Sequence, residues 1–81
     1  MAVYNIARAD GWTAIATDDC TVQNQSGKPI MVKASSTSPI DETEGFMLDT
    51  YQIEQFVITS GDTLYANNLW LLGDARVYVE E

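Results

Sequence analysis

Cys20-Thr21-Val22-Gln23-Asn24, then Gln25-Ser26-Gly27-Lys28, then Pro29-Ile30-Met31-Val32-Lys33-Ala34-Ser35-Ser36 is the stretch that decides the fold. In the first run apolar Cys20 and Val22 alternate with Thr21 and Gln23, the period-two pattern of a half-buried strand. Gln25 to Lys28 carries turn chemistry. Pro29 opens the next run, where its missing N–H does least harm. The three pieces predict a hairpin. Cys20 falls on the apolar side of its strand, so it is expected to be a buried small hydrophobe.

The same grammar continues outward. Val3 to Ala7 alternates weakly, as an outer strand or arm. Asp10-Gly11 is a turn, Trp12 to Ala16 a short strand and Thr17-Asp18-Asp19 another turn. After the quoted stretch, Ser35-Ser36-Thr37-Ser38-Pro39 and Ile40 to Gly45 form the longest loop. Loops of that length in small domains are often functional. Phe46-Met47-Leu48 resumes apolar character. Tyr51 to Ile58 is ambiguous, with room for one helical turn before a strand from Gln55 to Thr59. Ser60-Gly61-Asp62 turns into Thr63-Leu64-Tyr65-Ala66, and a last strand runs from Asp74 to Glu80. About seven short antiparallel strands follow, in one all-β domain over residues 1–81, as a small sandwich or barrel.

A domain of this size buries only roughly 60% of the surface its unfolded chain exposes. Small domains gain stability from disulfides, metals or association. A single cysteine excludes an internal disulfide. With no histidine and no cysteine pair, zinc lacks its usual ligands. Association with other chains is the remaining route, and a homo-oligomer is expected. Both terminal stretches read as strands, which need something to hold them.

Charge is uneven. Arg8, Lys28 and Lys33 balance Asp10, Asp18 and Asp19 in residues 1–40, whereas residues 41–81 carry nine acids against Arg76, so the whole net charge of -8 lies there. Such a surface repels phosphates and argues against nucleic acid as a partner. It suits either simple solubility or a basic partner. No apolar run approaches the ~20 residues that span a bilayer, so no membrane role is expected. The N-terminal residues lack the pattern of a secretory signal, and synthesis in a cytoplasm is expected.

Few side chains suggest chemistry. Asp41, Glu42 and Glu44 share one loop and Asp18-Asp19 another, but no calcium-loop pattern is present, and no metal or cofactor is expected. Ser35, Ser36, Thr37 and Ser38 have no recognisable base, so no catalytic residue is assigned. Tyr4, Trp12, Tyr51, Tyr65, Trp70 and Tyr78 can either stack on sugars or pack within the strands. Leu69-Trp70-Leu71-Leu72 stands between Asn67-Asn68 and Gly73-Asp74. Four large apolar residues in a row cannot all face one side of a strand. They either plug an open end of the fold or project toward another chain, and Trp is over-represented among interface anchors. Leu69, Trp70, Leu71 and Leu72, with Tyr4 and Ile6, are therefore the candidate interface.

Val22 to Val32, the Ser35–Pro39 loop, Gly45-Phe46-Met47-Leu48, Ile58 to Ala66 and Gly73 to Val79 together resemble small structural proteins of tailed bacteriophages. The resemblance spans roughly residues 12–80 and rests on strand-and-turn words. It implies a virion component without enzymatic activity. Such a component would be a capsid decoration protein, trimeric by preference, on the major capsid protein or another virion protein. Two other functions fit the residues: a tail or fibre module binding host glycan, and an acidic inhibitor mimicking DNA.

Overall fold

The computed structural model describes residues 2–41, 44–70 and 73–81. Eight strands form among them: β1 (Ala2–Ile6), β2 (Thr13–Ala16), β3 (Cys20–Asn24), β4 (Ile30–Ser35), β5 (Phe46–Leu48), β6 (Ile53–Phe56), β7 (Thr63–Asn67) and β8 (Ala75–Glu80), with one 3-10 turn at Arg8–Asp10. They build two four-stranded antiparallel sheets, one ordered β1-β8-β3-β6 and the other β2-β7-β4-β5. Neither sheet closes on itself, so the all-β fold is a sandwich and not a barrel.

Alternation builds the core. In the first sheet Cys20, Val22, Ala75, Val77, Val79 and Ile6 turn inward. Ile15, Ile30, Val32, Leu48, Leu64 and Ala66 meet them from the second sheet. Cys20 is buried and unpaired, as its place in the pattern predicts. The first and last strands hold each other, with Ala2 opposite Val79 and Ile6 opposite Ala75.

Two expectations fail. Gln25 to Lys28 does not close a hairpin: β3 lies in the first sheet and β4 in the second. The turn carries the chain across the sandwich, and Asn24 holds it there. This fully buried side chain donates to the carbonyls of Lys28 (2.8 Å) and Leu48 (3.1 Å) and accepts from the Ser26 N–H (3.0 Å). Asn68 does the same at the crossing from β7 to β8. It donates to the carbonyls of Ile6 (2.9 Å) and Gly73 (3.1 Å) and accepts from the Trp70 N–H (2.9 Å). A buried amide is tolerated because every polar atom is used.

The second failure is the helical turn before Gln55. A tight turn at Thr50-Tyr51 stands there instead, with Tyr51 at φ 57, and the strand begins at Ile53.

Two described residues of the long loop, Asp41 and Glu44, are tied to the second sheet. Lys33, whose side chain projects from the outer face of that sheet, forms an ion pair with Glu44. The Trp12 indole N–H, at the far edge of the sheet, donates to the Asp41 carbonyl at 3.1 Å. Gly45 sits at φ 102, so close to the Val32 carbonyl that a Cβ would not fit. Met31 and Asn67, opposite each other on this outer face, are buried.

Candidate functional site

Four of the six candidate interface residues lie among the described residues, and one of them is buried. Ile6 is only 1% exposed and belongs to the core, so its side chain is not offered to a partner. Tyr4 is half-buried and packs against that core. Leu69 is half-buried, and its carbonyl accepts a hydrogen bond from Arg8. Trp70 is also half-buried, and its indole N–H donates to the Pro29 carbonyl at 2.7 Å. Lys28 lies 4.6 Å above its ring, a cation–π contact. Trp70 thus braces the two crossing turns. Leu71 and Leu72 lie outside the described residues.

The exposed apolar residues gather elsewhere. β5 is the last strand of one sheet and β6 the last of the other, and the two edges border the same side of the sandwich. Phe46 and Phe56 stack between them, ring centroids 5.5 Å apart. Residues opposite each other in an antiparallel pair share a face. Phe46 lies opposite inward Val32 and Phe56 opposite inward Cys20, which brings both rings into the gap between the sheets. Met47 falls opposite Met31 on one outer face, and Ile53 opposite Gln23 on the other. Phe46, Met47 and Ile53 are at least half exposed, and Val57, just past β6, is 85% exposed. The result is a discontinuous apolar wall along two free strand edges, with Phe46 between the sheets, Met47 and Ile53 on opposite outer faces, and Val57 at the end of β6.

Backbone polarity sharpens this picture. The Asn24 N–H bonds to the Gln52 carbonyl, whereas the Gln25 N–H bonds to the Arg76 carbonyl of β8. Even-numbered residues of β3 therefore pair toward β6 and odd-numbered ones toward β8. In β6, Glu54 and Phe56 direct their backbone groups at β3, and Ile53 and Gln55 direct theirs at the open edge. A relay of side-chain amides fixes the strand's entry. Arg76 donates to Gln25 (3.1 Å), Gln25 to Gln23 (3.0 Å), and Gln23 to the Tyr51 carbonyl (3.2 Å).

The charge around the wall is acidic. All four cationic side chains are engaged internally: Arg8 with Leu69, Lys28 with Trp70, Lys33 with Glu44 and Arg76 with Gln25. Beyond the end of β6 an open depression of about 560 Å³ is lined by Phe56 and Val57 together with Asp19, Glu80 and Glu81. Burial, then the charges of Glu81 and Asp19, push the Cys20 thiol above its ordinary range. Burial and the neighbouring Glu80 raise Tyr78 likewise. Among the described residues, no three or more Cys, Asp or Glu side chains gather as a metal site would need. Asp19 instead accepts the Ile58 N–H at 2.8 Å. The chain matches no protein family, no curated protein and no solved structure.

Sequence reasoning missed Phe46, Met47, Ile53 and Val57. The period-two series Ile53, Gln55, Val57 is present, but an edge strand lacks the buried alternation that makes strands easy to see. The aromatic residues do not assemble one platform: Tyr65 shares an outer face with Lys33, and Tyr78 lies on the opposite outer face with Gln23.

Proposed function

We propose that this chain is a non-enzymatic structural protein of a tailed-phage virion, a decoration or cementing protein that binds the assembled shell as an oligomer. The observation that carries the proposal is the apolar wall of Phe46, Met47, Ile53 and Val57 on two adjoining free edges. A small core with no disulfide gains stability from covering such a wall with neighbouring subunits. The acidic surface keeps the free subunit soluble and directs it toward basic ground on a partner. The resemblance in strand-and-turn words supplies the setting.

The experiment is co-sedimentation of purified protein with shells assembled from the major capsid protein of the same virus. Saturable binding at a fixed number of copies per shell is expected, weakening as salt rises. Pelleting that never saturates, or none at all, would refute the proposal.

A further inference from the structure

The free edge of β6 carries its own register information. Ile53 and Gln55 point backbone N–H and C=O groups into solvent, and Val57 follows next in the alternation. We infer that two copies of this chain pair β6 to β6, antiparallel, about a two-fold axis through Gln55. The inference deepens the self-association invoked above, giving it two-fold order where the sequence suggested three-fold.

Extending a sheet across a two-fold axis perpendicular to it pairs residues of equal parity, so the axis passes through a residue and not between two. Centred on Glu54, the pairing sets two carboxylates directly opposite each other, which is destabilising. Centred on Ile53, it brings Gln55 against the partner's Tyr51, held at φ 57 in the turn, and leaves the exposed Val57 without a partner. Centred on Gln55, no two acids are opposed and the exposed apolar residues pair. Gln55 exchanges both backbone bonds with the partner's Gln55, and the two amide side chains meet. Ile53 falls opposite the partner's Val57. These two apolar residues, 59% and 85% exposed in the single chain, then form cross-strand pairs on both flanks. Glu54 faces the partner's Phe56, not an acid, and its carboxylate already accepts the Gln52 amide at 2.9 Å. Glu54, which reads at first as a charge guarding the edge, becomes the residue that selects one register over the next.

The test uses the full chain in solution, without shells, so its outcome is separate from shell binding. Sedimentation equilibrium over a hundredfold concentration range should show monomer passing to dimer. Gln55→Pro deletes an N–H that β3 does not use, so the monomer's β spectrum should persist while the dimer is lost. Val57→Lys, at a residue outside the strand, should weaken dimerisation at least tenfold. Under mild oxidation Gln55→Cys should yield a disulfide-linked dimer, and Glu54→Cys and the wild type, whose Cys20 is buried, should not. A monomeric mass throughout, a trimeric mass, or equal crosslinking by Glu54→Cys would overturn the inference.

Discussion

Asn24 is the residue on which the architecture can be tested most directly. Its side chain makes three hydrogen bonds, to the Lys28 and Leu48 carbonyls and from the Ser26 N–H, and it is fully buried. Asn24→Ala removes all three, at about 1 kcal/mol each, and leaves the Leu48 carbonyl buried without this donor, which costs a further ~1–2 kcal/mol. The expected loss is about 4–5 kcal/mol, a large part of the ~5–15 kcal/mol available to a domain. Asn24→Asp is the sharper variant. It keeps the acceptor for Ser26 but aims a carboxylate at two carbonyl oxygens. Its folded-state pKa must therefore lie above the unfolded value, and the variant should regain stability as pH falls and the carboxyl becomes a donor. Urea unfolding at pH 7 and pH 4.5 measures both effects. With m of roughly 1 kcal/mol/M for so short a chain, Asn24→Ala should lower the midpoint by several molar or abolish folding at 25 °C. A loss below 1 kcal/mol for Asn24→Ala, or an Asn24→Asp variant insensitive to pH relative to wild type, would refute the view that this amide holds the crossing.

Trp70→Phe deletes the bond to the Pro29 carbonyl while keeping an aromatic ring under Lys28, so chemical unfolding should show a loss of about 1 kcal/mol; the monomer–dimer balance should not move, because Trp70 braces the fold and does not contact the partner. The Cys20 thiol, raised by burial and two nearby acids, favours its protonated form in the folded state, so its contribution is complete below the unfolded thiol value of about 8.5 and fades as pH rises through the folded value. Thermal melts should fall from pH 8 upward, and Cys20→Ala should flatten the first part of that fall, leaving a later decline to Tyr78.

Strands β3, β4, β7 and β8 are legible in the sequence because each alternates between core and surrounding residues. The partner of each strand is not. A turn signal such as Gln25 to Lys28 says that the chain reverses, not whether it returns to the same sheet, and the deciding Asn24 is a common turn residue whose burial only the fold reveals. β6 is hidden for a different reason: as an edge strand it buries little, and Tyr51 adopts a positive φ without being glycine. Leu69–Leu72 stands out in the sequence because its apolar residues are consecutive along the chain. The wall gathers Phe46, Met47, Ile53 and Val57 from two strands in different sheets, a grouping set by topology and invisible to local patterning.

The position of β8 governs how the protein is made. In the first sheet it lies between β1 and β3, and neither of those strands touches the other without it. A ribosome releases β1 first, and it must wait for its only neighbour until residues 75–80 have left the exit tunnel, whereas β3 can pair with β6 before then. A chain truncated before Ala75 keeps the second sheet and the β3–β6 pair but loses the strand that joins β1 to them, so part of its core stays uncovered and it becomes a substrate for proteases rather than a competitor for assembly.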